Sequence, residues 1–164
     1  EHLGLTDYDL AGFSLGARTS IHGVATGKLR PKRLILGGMG VDGLSEWEKR
    51  AAFFIRVIEE FDAIPKGDPA YFSMQFLKSQ KVDRVAARLL LDTMEDLSLA
   101  ELANITCPTL VVCGDEDRDN GSAHELAEML PDATYVEVPG THMTSVTKPD
   151  LGRAMAQWLG PAER

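Results

Sequence analysis

Three residues of this chain stand just beyond the last residues of short, extended-looking runs. Ser14 follows residues 8–13, Asp117 lies four residues past the apolar run 109–113, and His142 lies four past 134–138. Those three types together suit one kind of chemistry. A neutral serine hydroxyl is a poor nucleophile and needs a base within hydrogen-bond reach. An imidazole titrates near neutrality and can take the proton and return it. A buried carboxylate on the other ring nitrogen fixes the tautomer and stabilises the imidazolium. Ser14 is therefore the candidate nucleophile, His142 the candidate base and Asp117 the candidate orienting acid.

The sequence around Ser14 is Gly12-Phe13-Ser14-Leu15-Gly16. Small residues on both sides permit a sharp strand-to-helix turn in which backbone segments approach too closely for side chains. Such a turn exposes the hydroxyl and directs the Leu15 N–H toward a developing oxyanion. A G-x-S-x-G match alone is weak, and its weight comes from the partners downstream.

Other reactive residues read more plainly. His2, His22 and His124 read as solvent-facing or helix-surface residues. The acidic run 115–119 lacks the Gly and Glu spacing of a calcium loop, so it reads as a solvated loop carrying one functional carboxylate. Gly37-Gly38-Met39-Gly40 has neither dinucleotide nor Walker spacing and reads as a flexible hinge. Cys107 and Cys113 form no Cys-x-x-Cys or Cys/His metal pattern. In one extended run they stand roughly 20 Å apart, beyond disulfide reach. Neither a metal nor a cofactor is expected, and two structural thiols suit a cytoplasmic protein.

The elements that must position these residues follow from hydropathy patterning. The 164 residues, 44% apolar with mixed charge, suffice for a real hydrophobic core. A net charge of −8 without a Lys/Arg cluster disfavours nucleic-acid and anionic-membrane partners. No apolar run approaches a membrane span, and no signal-peptide pattern is present. Strands are expected over 8–13, 33–36, 109–113 and 134–138. Ala17, Ile21, Val24 and Ala25 recur at helical spacing up to Gly27. Ser122 and Glu125 form a capping-box pattern, and Pro131 stops the helix they open. Leu151, Ala154, Met155, Trp158 and Leu159 make one core-facing helical stripe.

Strands alternating with helices imply a parallel sheet covered on both faces. Ligands of such sheets bind beyond the carboxyl ends of the strands, where all three candidate residues fall. Between the second and third strands, residues 43–104 read as an all-helical insertion. Trp47, Ala51, Phe54, Ile58 and Phe61 fall on one face of its first helix.

At this point the chain resembles the α/β-hydrolase superfamily. The resemblance rests on "GFSLG" as the nucleophile elbow, "PTLVVCGDED" as the acid strand, "PGTH" as the histidine loop and the order Ser, Asp, His. "PGTH" is one residue shorter than the frequent Pro-Gly-x-Gly-His. Asp115 and Asp119 are rivals for the acid, but Gly114-x-x-Asp117 matches best. The resemblance implies the last four strands of an eight-stranded α/β sheet, with residues 1–42 and 105–164 forming a partial hydrolase core and 43–104 a helical cap. The family's first strands, and the loop giving a second oxyanion donor, would precede Glu1. The chain therefore reads as a C-terminal portion, with a missing N-terminal segment of the same protein as a partner. The implied function is a serine hydrolase cleaving a small ester, lactone or thioester through an acyl-enzyme. Carbon–carbon bond hydrolysis, a non-catalytic ligand-binding role and an inactive fragment are the alternatives.

Overall fold

A computed structural model describes residues 4–161. His2 and the outermost residues of the expected core, 1–3 and 162–164, lie outside the described residues. By chain contacts the molecule divides into two compact units, Glu1–Ser45 with Leu97–Arg164, and Glu46–Asp96.

The first unit is built on four parallel strands in the order β1 (Asp9–Phe13), β2 (Arg33–Gly37), β3 (Thr109–Gly114) and β4 (Ala133–Val138). Each expected strand is present. Phe13 pairs with Gly37, Gly37 with Val112, and Gly114 with Val138, so the carboxyl ends finish at one edge. Period-two alternation sends Leu34, Leu36, Val111 and Cys113 to one face, packed with Ile21 and Leu126. Those two come from α1 (Leu15–Ala25) and α5 (Ala123–Met129). Ile35, Leu110, Val112 and Val138 point to the other face, against Leu151, Met155 and Trp158 of the C-terminal helix α7 (Pro149–Leu159). Every residue of β3 is consequently buried, as its unbroken apolar run requires.

Local signals set the helix ends. Ser122 accepts a hydrogen bond from the Glu125 amide, the first half of the expected capping box. Gly27, at φ +72°, terminates α1 with its N–H on the Val24 carbonyl. One helix was not legible in the pattern. The four-residue α6 (His142–Ser145) follows β4 after the three residues 139–141 and is capped by Thr141, whose hydroxyl accepts from the Thr144 amide.

The second unit holds α2 (Trp47–Glu59), α3 (Tyr71–Ser79) and α4 (Arg84–Asp92), all helical as expected. Its extent, Glu46–Asp96, is narrower than 43–104, because Leu44, Leu97 and Leu102 are buried in the core of the first unit. Trp47, Ala51, Ile58 and Leu91 form one of its apolar clusters, with Phe61 packed on a second around Val57 and Met74. Phe54, expected on the same face, is instead 38% exposed. Asp83 caps α4, accepting from the amides of Val85 and Ala86. Arg56 donates to both carboxylate oxygens of Asp68, at 3.2 and 2.7 Å. Among the described residues, no helix is long and apolar enough to cross a membrane.

Candidate active site

The sharp turn expected at Gly12–Gly16 is present. β1 ends at Phe13, α1 begins at Leu15, and Ser14 between them has φ +51° and ψ −115°. A non-glycine residue there costs on the order of 1–3 kcal/mol and persists where its surroundings over-determine it. The Ser14 amide donates to the Gly37 carbonyl at 2.8 Å, and the Arg18 amide to the Ser14 carbonyl at 2.9 Å, which ties the turn to β2 and to α1.

The two flanking glycines are not equivalent. A Cβ on Gly12 would lie 2.3 Å from the Gly16 carbonyl oxygen, which no real contact allows. A Cβ on Gly16 would meet nothing within 4 Å. Close approach therefore demands glycine only at position 12, a correction to the expectation that both flanks are sterically required.

Ser14 occupies the N-cap position of α1 but makes no side-chain cap. Its hydroxyl lies 2.8 Å from His142 Nε2 instead. The other ring nitrogen, Nδ1, lies 2.8 Å from Asp117 Oδ2. The shorter "PGTH" loop thus reaches Ser14 without difficulty. Asp117 and His142 are both buried, at 5% and 8% exposure. Of the rival carboxylates, Asp115 accepts from the Gly140 amide at 2.7 Å and so braces the histidine loop. Asp119 contributes its backbone amide, which donates to Asp117 Oδ1 at 3.0 Å. Leu15, the first helical residue, has its N–H at the α1 N-terminus, where no carbonyl four residues back is available within the helix.

Electrostatics follow from these contacts. Burial opposes the charged form of Asp117, yet the His142 hydrogen bond and the Asp119 amide outweigh it, and its carboxyl is held below the ordinary carboxylate value. Burial, aided by the charge of Asp117, pushes the neighbouring Cys113 thiol up to about 12. At neutral pH that sulfur is a thiol, and no rival nucleophile. Both cysteines are free.

Asp117, Asp119 and His142 each offer one ligand atom, all within 4.8 Å of one another. Asp117 Oδ2 and His142 Nδ1 already bind each other, so the group is committed to the chain of contacts ending at Ser14.

Sequence reasoning missed the floor beneath these groups. Gly37–Gly40, read as a hinge, are buried: Gly38 donates its N–H to the Val112 carbonyl at 2.9 Å and accepts at its own carbonyl from Asn120 Nδ2 at 2.8 Å. The clue available in sequence was the position of these glycines, directly after a strand that pairs with the elbow strand.

No protein-family model and no curated protein matches this sequence. The likeness is structural. A thermophilic esterase from Thermogutta terrifontis is 24% identical with a TM-score of 0.70, over 96% of this chain and 66% of that one. An alpha/beta hydrolase enzyme from a Medee basin deep-sea metagenome library is 22% identical with a TM-score of 0.66, over 99% and 68%. The enol-lactonase from Burkholderia xenovorans is 19% identical with a TM-score of 0.60, over 96% and 67%. Sheet order, flanking helices and these similarities define the fold as that of the α/β hydrolases. This chain spans 63–69% of the length of the solved structures it resembles.

Proposed function

We propose that the protein is a serine hydrolase acting on a small acyl substrate, a carboxylic ester, lactone or thioester. The observation that carries this reading is the continuous set of contacts from Ser14 Oγ through both nitrogens of His142 to Asp117. Ser14 attacks the carbonyl carbon as its proton passes to Nε2, and Asp117 stabilises the imidazolium through Nδ1–H. The Leu15 N–H faces the oxyanion that develops. Collapse of the tetrahedral intermediate gives an acyl-enzyme, with the Nε2 proton leaving on the alcohol or thiol. Water, deprotonated by His142, then releases the acid. An esterase and an enol-lactonase are among the structures of this fold that the chain is similar to, as is a 2-hydroxy-6-oxo-6-phenylhexa-2,4-dienoate hydrolase, so the choice of an ester-type substrate rests on the Ser14 contacts and not on these likenesses.

The helical unit Glu46–Asp96 enters the chain between β2 and β3, and we assign it the substrate-selecting role of a cap. Two free thiols are compatible with the cytoplasmic location that we propose.

A fluorophosphonate probe tests the nucleophile. The expected result is one covalent adduct, absent in Ser14→Ala, with p-nitrophenyl acetate turnover lost in Ser14→Ala and His142→Ala but kept in His124→Ala. Turnover retained by His142→Ala would overturn the assignment.

A further inference from the structure

Both nitrogens of His142 have partners, and the imidazole also meets an aromatic ring. The Phe13 ring lies against it, with centroids 5.0 Å apart and planes inclined by 39°. Phe13 is the last residue of β1, next to Ser14 in the elbow. The backbone beneath the two rings admits no side chain. A Cβ on Gly38 would come within 2.7 Å of Phe13 Cζ and 3.1 Å of His142 Cε1, and one on Gly37 within 2.8 Å of Phe13 Cδ2. The Gly38 hydrogen bonds to Val112 and Asn120 fix that backbone, with Gly38 itself at φ +59°.

We propose that Phe13 is a positioning residue whose aromatic ring stabilises the imidazolium of His142, with Gly37–Gly38 as the seat that holds the two rings in contact. The proposal rests on the serine hydrolase reading, in which His142 becomes positive each time Ser14 attacks. Among the described residues, the groups at that ring include Ser14 on Nε2, Asp117 on Nδ1 and the Asp119 carboxylate close by. Asp117 attracts the charge along one edge only. Burial by an aliphatic side chain at position 13 would oppose protonation, because an apolar neighbour desolvates the cation. An aromatic ring of the same bulk attracts it through its quadrupole, most strongly in a buried site. A phenylalanine in contact with the imidazole thus offsets the desolvation that its own bulk imposes.

Shape and quadrupole can be separated in this chain by placing 4-fluoro-, 3,5-difluoro- and pentafluorophenylalanine at position 13, since fluorination drains the ring face at nearly constant size. Two quantities are read: the titration of the His142 Cε1–H signal by NMR, and the pH profile of kcat/KM with p-nitrophenyl acetate. The titration midpoint and the acid limb of the profile should move together to lower pH, stepwise with fluorination, by up to about one pH unit. The plateau of kcat/KM should fall about threefold to tenfold across the series. Phe13→Leu should resemble the pentafluoro end of the series. A midpoint that stays fixed across the series overturns the proposal, whatever the activity does. The NMR readout needs no turnover, so the two readings fail separately. A midpoint that moves while Ser14 takes no phosphonate supports the ring contact and removes the hydrolase reading. Labelling with an immobile midpoint does the reverse.

Discussion

At the scale of single residues, Asp117 is the most constrained group in the site. Its two oxygens take the His142 ring and the Asp119 amide, and burial alone would have driven its ionisation the other way. Its folded-state value lies below the ordinary 3.8, so its contribution to stability is fully present above that value and lost as pH falls through the lower, folded one. Urea midpoints of the wild type and Asp117→Asn, compared between pH 7 and pH 2, should therefore converge at the acid end. The same variant should lose kcat/KM by about 10³ to 10⁴, because an amide at this position favours the wrong His142 tautomer. Loss of activity with a pH-independent stability difference would mean that the carboxylate is not held ionised by the fold.

At the scale of elements, the elbow depends on one glycine rather than two. Gly12→Ala forces a Cβ into the Gly16 carbonyl and should lower the thermal midpoint sharply or leave no soluble protein. Gly16→Ala has open space and a helical backbone, and should be neutral or stabilising by up to about 1 kcal/mol. Melting curves of the two variants check the asymmetry. This difference also marks what the sequence could and could not reveal. The strands, α1, α7 and the first helix of the insertion announce themselves by period and α5 by its Ser122 cap, and the Ser, Asp and His candidates could be placed at strand ends because parallel strands share one carboxyl edge. The four-residue α6 is too short to display a period. The choice of Asp117 over Asp115 and Asp119 depended on motif spacing, while the amide and loop-bracing contacts of its neighbours arise only in three dimensions. The glycines at 37 and 38 looked mobile because a glycine pair looks alike whether it is loose or tightly covered.

At the scale of the whole molecule, the division into two units makes a separable claim. Chain leaves the sheet unit at Ser45 and returns at Leu97, whose N–H donates to the Leu44 carbonyl at 3.0 Å. Leu44, Leu97 and Leu102 are packed in the sheet unit's own core. Replacing residues 46–96 by a short Gly/Ser linker should therefore leave the α/β circular-dichroism signature and a cooperative melt. A chain that shows neither would mean that the sheet unit depends on the helical one for its fold. The helical unit has its own fasteners, with Trp47 donating its indole N–H to the Leu91 carbonyl and its amide to Asp96.

The Leu97–Leu44 hydrogen bond has a further consequence in terms of chain entropy. Two ends held within bonding distance define a closed loop, and the cost of closing a flexible loop grows only with the logarithm of its length, about 0.6 kcal/mol per doubling. Whatever hangs between these two leucines can lengthen, shorten or refold at small cost to the sheet, and the contacts joining Ser14, His142 and Asp117 lie wholly outside it. A junction of this kind lets the helical unit diversify while the sheet unit and its Ser14–His142–Asp117 contacts stay fixed.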